Sequence, residues 1–484
     1  MAAMEPVFIW PHMGHTLDLM VHELFTQVGL ERFLWLPGPV SEESIDLGNN
    51  RYTESCSPYA CSTGSLKESL RSLLRHLEDD AERTGRPVEP RRIVCLMAGA
   101  RGPCTFGWYA IVQERHLPQE FAHDLEKHGH TFEMTTLGLS GGAPDFLRQL
   151  ARLGNPERLA GAVEYLDAWE HGLERLPVHQ RLRARLRLAL CVDRLLRPVR
   201  AKMEAAEAVR ARSLAVRAHE QEPGATTRAY REGLALLRDA HGVAAIRGAR
   251  EKALRLLDLV PRDGAIRPRI GVVGEIYIAL TSFANRGAIE NLLGRAGVEV
   301  VEGITLSSFL DGMLREARRR GWAKHPLLQP VLEILRKRNV NLLEERPRTP
   351  GARPFMLREV GGDGLPTVGH ARELIEHEGV DGILHVYPFK CMPEGMAKDA
   401  LNEMCNLYGV RLLTLSFDKE TDIERLKTEI GTFSALLQME VQRLGAPDRE
   451  RFRRSKQAQV RWRQALGRLT TAMHDENRRR QHLG

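Results

Sequence analysis

No apolar run in the sequence reaches the roughly 18 to 20 residues that a helix needs to cross a bilayer. The start, MAAMEPVFIWPHMGH, has neither the basic flank nor the long apolar stretch of a secretory signal. Both absences point to a cytoplasmic protein with no membrane partner. That compartment keeps thiols reduced, and a chain of 484 residues with 43% hydrophobic composition builds cores that need no covalent staples. The seven cysteines are therefore not read as a disulfide framework; they are core residues, metal ligands or reactive thiols. Also missing are a compact CxxC pair, zinc-finger spacing, an aromatic-basic RNA motif, a GxxxxGK[ST] phosphate loop, tandem repeats and low-complexity segments. The net charge is +7, and the basic excess gathers near the end, in DRERFRRSKQAQVRWRQALGRL. This run reads as a solvated, arginine-rich helix, so a nucleic-acid partner is not expected.

Along the first 150 residues, short apolar runs alternate with amphipathic segments: PVFIW, the helical HTLDLMVHELFTQVG, RFLWLP, the helical SLKESLRSLLRHLEDDAERTG, then RRIVCLMAG. Such alternation implies parallel strands with helical crossovers. Residues 151–262 are helical in pattern throughout. VPRDGAIRPR marks a boundary, and IGVVGEIYI restarts the strand pattern, followed by GVEVVEG, GILHVYP and VRLLTLSF. The expected organisation is an α/β fold with mainly parallel sheets. It comprises an N-terminal lobe (1–150), a helical region (151–262), a C-terminal lobe (263–430) and a basic helical tail (431–484).

Three cysteines share one position in this pattern. Cys104 follows the strand Ile93–Met97 through AGARGP, and Cys391 follows Ile383–Tyr387 through PFK. Cys56 lies in a loop before a helix expected to begin near Ser65. Loops leading from strands into helices line the crevice where open α/β sheets bind ligands, and a helix amino terminus favours thiolate, the form that ligates metal. Wide spacing leaves two readings open, metal ligation and structural burial. The prolines in GPC and PFKCMPE hold their thiols in rigid backbone, which suits a fixed ligand geometry better than core filling.

ARGPCTFGWY, PFKCMPEGMA, IGVVGEIYI and LTLSFDKETDIERLKTEIGTF together resemble the 2-hydroxyacyl-CoA dehydratase superfamily, especially its branch of acyl-CoA dehydratase activase-related proteins. The resemblance covers both α/β lobes. It implies two Rossmann-like lobes around an oxygen-sensitive 4Fe-4S cluster held by Cys56, Cys104 and Cys391, with the fourth iron position left to water, a substrate oxygen or Cys61. It implies a low-potential redox enzyme or component, reduced by an ATP-dependent activase of the actin-like ATPase fold and acting on a CoA thioester or another hard-to-reduce small molecule. As an enzyme it would be a dehydratase-like lyase or an ATP-coupled reductase component, with a related dehydratase-like subunit or a second copy as partner. Two motifs depart from the family pattern: Ala60 stands where a CxPxK arrangement has lysine, and Thr105 and Trp108 interrupt the usual RFGQY. The alternatives are a non-catalytic electron-relay or accessory iron-sulfur subunit, and a cluster-free scaffold with a basic tail that binds RNA or protein.

Among the remaining residues, Cys95, Cys191 and Cys405 read as core. Glu275 sits at a strand end, where it can bond a ligand or a loop amide. His385 reads as a satisfied strand histidine, Lys390 as a solvated or potential-tuning neighbour of Cys391, and GLSGG after Leu137 as a turn.

Overall fold

The computed structural model describes residues 4–443 apart from 39, 50–54, 100–103, 138–147, 149, 153–155, 173–174, 311–351, 353–354, 357–361 and 419. The expected basic tail beyond residue 443 and the GLSGG run lie outside the described residues. The chain forms two units. The first comprises Met1–Val209, Tyr230–Leu256 and Leu306–Glu345; the second comprises Arg210–Ala229, Leu257–Thr305 and Arg346–Gly484.

In the first unit, strands β1 (Glu5–Ile9), β2 (Arg91–Ala98) and β3 (Thr131–Leu137) form a parallel sheet in that order. Phe8 lies opposite Val94, and Ile9 opposite Cys95. Side chains on a strand alternate between faces. Phe8, Val94 and Leu96 accordingly enter one apolar cluster with Phe25, Tyr165 and Leu188, while Ile9, Ile93 and Cys95 enter another with Leu66, Leu70 and Phe121. A sheet covered on both faces explains why PVFIW and RRIVCLMA are nearly continuous apolar runs.

Helices α1 (His15–Val28), α2 (Glu42–Asn49) and α3 (Ser57–Thr84) connect β1 to β2, and α4 (Phe106–Glu120) and α5 (Ala122–Lys127) connect β2 to β3. RFLWLP is not a strand: Glu31–Phe33 make a short 3-10 turn and Leu34 forms a single bridge with Phe8. Strand β3 was not expected, because only Phe132, Met134 and Leu137 are apolar in TFEMTTL. Helix α3 starts eight residues before the expected Ser65. Pro58 occupies its first turn, where a missing amide hydrogen costs nothing. The small residues that resemble a loop are instead a close helix crossing: a Cβ on Gly64 would stand 1.7 Å from the Ser44 carbonyl oxygen, and one on Gly48 would stand 1.9 Å from that of Ala60.

The stretch between the two sheets forms the helices α6 (Pro156–Glu170), α7 (Val178–Arg217), α8 (Ala225–Asp239) and α9 (Val243–Asp258), with one isolated antiparallel bridge between Glu220 and Arg262. In the second unit, β4 (Arg269–Gly274), β5 (Glu299–Glu302), β6 (Gly382–Pro388) and β7 (Arg411–Phe417) form a parallel sheet in the order β5-β4-β6-β7. IGVVGEIYI is split: the strand ends at Gly274, and Ile276–Leu280 form the short helix α10. Helices α11 (Gly364–Glu373), α12 (Met392–Tyr408) and α13 (Ile423–Arg443) complete this unit. The fold is thus mixed α/β with two small parallel sheets.

Candidate functional site

Helix α3 brings Cys56 to its amino end as the N-cap residue. The Cys56 sulfur lies 2.6 Å from the Tyr109 hydroxyl and 3.3 Å from the Thr105 hydroxyl. Thr105 directly follows Cys104, which enters α4 after β2. Two of the expected ligands therefore belong to one corner of the first unit, at the amino ends of α3 and α4. Aromatic side chains wall this corner: the Tyr59 and Tyr109 rings meet edge to face at 5.3 Å, Phe106 meets Tyr109 at 5.4 Å, and Trp108 lies 6.0 Å from Tyr59. In both contacts either the hydroxyl or the sulfur can be the donor, and a sulfur that ligated a metal would accept from both hydroxyls.

Cys391 belongs to the second unit and is the N-cap residue of α12. The turn that presents it is tight. The Phe389 amide donates to the Phe417 carbonyl at 2.8 Å, and the Cys391 amide donates to that of Pro388 at 3.0 Å. Lys390 between them has φ of 69°, a left-handed conformation that a non-glycine side chain adopts only when its surroundings hold it there. Exposed Phe389, Met392 and Met396 flank the thiol in sequence.

The chain passes from β4 to β5 on one side and to β6 on the other, so the order of the second sheet reverses between β4 and β6. The carboxyl ends of such strands are where open α/β sheets bind ligands. Three carboxylates gather there. Glu275, just after β4, accepts hydrogen bonds from the Tyr277 and Ile278 amides at 3.1 and 3.0 Å. Asp363, just before α11, accepts from the Ile276 amide at 3.4 Å. Glu394, fully buried in the first turn of α12, bonds His385 Nε2 at 2.8 Å and accepts from the Thr367 hydroxyl at 2.9 Å.

Burial pushes the Glu275 carboxyl up to about 8, with the charge of Asp363 adding to the rise and the two amides opposing it. Burial likewise pushes Asp363 up to about 7, and the charge of Glu394 adds to it. Both residues keep a partial opening to solvent. Gly274 makes this geometry possible: its φ is 136°, and a Cβ there would stand 1.8 Å from the Val386 carbonyl oxygen. Of these residues, the sequence singled out Glu275 and His385. Asp363, Thr367 and Glu394 went unrecognised as a group because they come from separated segments that only the strand reversal brings together.

The remaining thiols are core residues. Cys61, Cys95 and Cys405 are essentially inaccessible, and Cys191 is buried among leucines. Burial raises the thiols of Cys95 and Cys191 and pushes that of Cys405 up to about 12. Cys61 lies in the buried first two turns of α3 with Tyr59, Ala60 and Gly64, and Ala60 stands at the position of the lysine in the CxPxK arrangement. Among the described residues, one group of three His, Cys, Asp or Glu side chains has ligand atoms all within 4.8 Å: His12, His15 and Asp18. The sequence signal for it, HMGHTLD, has a helix-compatible spacing of three and was not recognised. No model of a known protein family matches the chain, and no curated protein matches it.

Proposed function

We propose that Cys56, Cys104 and Cys391 hold one 4Fe-4S cluster, and that the chain works as a low-potential redox enzyme or enzyme component. The observation that carries this reading is the division of the seven thiols. These three are half-exposed and lie where helices α3, α4 and α12 begin, whereas the other four are buried. Iron favours thiolates, and amino ends of helices favour the anionic sulfur. The chemistry of the donors fits the group: Tyr109 and Thr105 offer hydroxyls to the Cys56 sulfur, and the Lys390 turn fixes Cys391. When bound, the cluster would supply electrons and a Lewis-acidic iron. The residues of this chain would hold it, limit water with aromatic side chains and orient the ligand sulfurs.

Two Rossmann-like lobes, a basic helical tail and a cytoplasmic location belong to the same proposal. No described helix is long and apolar enough to cross a membrane. An ATP-dependent activase of the actin-like ATPase fold is the proposed electron donor, with a CoA thioester or another hard-to-reduce small molecule as substrate. A related dehydratase-like subunit or a second copy of the chain is the proposed further partner. The alternative, an electron relay or accessory subunit, has no use for an acid beside its centre. The buried carboxylates and His385 at the strand reversal of the second unit favour the enzyme, because a carboxyl that keeps its proton near neutral pH serves as an acid or base.

The test is anaerobic purification followed by iron and sulfide quantification. Cys56→Ser, Cys104→Ser and Cys391→Ser should each lower iron content and remove the reducible signal, while Cys191→Ser keeps both. Full iron content in the Cys104→Ser and Cys391→Ser variants would remove the basis of the proposal.

A further inference from the structure

The structure assigns a second metal site, for a divalent first-row transition ion, to His12, His15 and Asp18 in the first unit. One ligand atom from each of these side chains lies within 4.8 Å of the other two. Local backbone produces the convergence. Strand β1 ends at Ile9, and the chain turns through Gly14, whose φ of 95° is closed to ordinary side chains, into the first turn of α1. His15 and Asp18 are three apart on that helix and so share a face. His12 folds back over the same turn, with its amide donating to the Ser65 hydroxyl at 2.9 Å.

The surrounding contacts orient the ligands as they do around known metal centres. The Trp10 indole N–H donates to Asp18 Oδ1 at 2.9 Å, which leaves Oδ2 directed at His12 Nδ1, 2.6 Å away. The His12 and His15 rings have centroids 5.4 Å apart at 60°, and the Tyr230 ring lies 6.3 Å from that of His15. Asp18 also supplies negative charge in the first helical turn, which offsets the repulsion between a cation and the positive end of the helix dipole.

The donor set selects the ion. Two imidazoles and one carboxylate suit zinc or iron(II), whereas magnesium and calcium prefer oxygen donors. With metal–ligand bonds of about 2.0 to 2.2 Å, tetrahedral ligand atoms stand about 3.4 Å apart, so small rotamer adjustments close the group around an ion. Three protein ligands leave at least one coordination position for water or substrate. His15 is exposed and places that position towards solvent, while His12 and Asp18 are half-buried. His12 Nδ1 and Asp18 Oδ2, now 2.6 Å apart, would both turn to the ion, with the single ring proton of a neutral His12 on Nε2.

Cobalt(II) is the probe, because its spectrum distinguishes nitrogen and oxygen ligands from sulfur. The full chain is stripped with chelator under argon and titrated with cobalt(II), then with zinc. In the combined Cys56→Ser, Cys104→Ser and Cys391→Ser variant, which removes the thiolates that would compete for the ion, one equivalent of cobalt should produce d–d bands without a sulfur-to-cobalt charge-transfer band, and zinc should displace it. His15→Ala, an exposed substitution, and Asp18→Asn should each weaken cobalt binding by at least about tenfold, with far-UV circular dichroism unchanged. Bands that survive both of these substitutions, or cobalt uptake that disappears only with the cysteines, would overturn the assignment.

Discussion

Replacing Glu275 with Gln removes a titrating group but keeps an oxygen that can accept from the Tyr277 and Ile278 amides. In the folded chain its carboxyl is raised from 4.5 to about 8. As pH rises, the unfolded chain therefore loses this proton first. Between about 4.5 and 8 the unfolded state binds fewer protons than the folded one, so stability falls as pH increases, and it levels off above about 8. At 1.36 kcal/mol per unit, the full shift corresponds to about 5 kcal/mol. The partial exposure of Glu275 and its coupling to Asp363 reduce this to about 2 to 3 kcal/mol. Urea unfolding followed by circular dichroism at pH 5 and pH 8.5 reads the difference. The Glu275→Gln variant should lose most of the decline and be more stable than the parent at pH 8.5, with a smaller slope remaining from Asp363. Equal slopes in parent and variant, or a variant less stable at both pH values, would refute the burial of a proton at this position.

Gly64→Ala should lower stability by about 1 to 3 kcal/mol, measured by thermal unfolding, because the new methyl group meets the Ser44 carbonyl oxygen and forces α2 away from α3. In the iron-free chain, Tyr109→Phe removes a hydroxyl from the Cys56 sulfur. A hydroxyl that donates to the sulfur favours its reactive anionic form, so Cys56 alkylation at neutral pH should slow by about threefold in this variant, as followed by peptide mass spectrometry. Cys95 and Cys405 should resist the reagent until the chain unfolds, because burial holds both thiols protonated.

The apolar strands were legible because a sheet covered on both faces leaves little room for polar residues: IVCL in β2 and GILHVYP in β6 read directly as strands. The helical character of α6 to α9 was equally plain. Strand β3 escaped because three of its seven residues are threonines and one is a glutamate, so its pairing with β2, and not its hydrophobicity, defines it. The start of α3 escaped because YACSTG has the composition of a loop, although those small residues serve the close approach of α2. Glu275 could be read as a strand-end residue. Its bonds to the Tyr277 and Ile278 amides are a local cap on the start of α10, whereas its electrostatic closeness to Asp363 and Glu394 depends on the strand reversal, which no local pattern encodes. His385, read as a satisfied histidine, is satisfied in part: its Nε2 bonds Glu394, nine residues away across a strand-to-helix turn, while its buried Nδ1 has no partner among the described residues.

In the proposed centre, three thiolates from three helix starts hold a single cluster with one iron free of cysteine. Mössbauer spectroscopy of the iron-57-reconstituted chain should then show one 4Fe-4S species in which one iron differs from the other three, and this distinct signal should shift when a small oxygen ligand is added. A mononuclear iron spectrum, a cluster with four equivalent cysteine-bound irons, or unchanged spectra in the Cys56→Ser and Cys391→Ser variants would contradict the proposal.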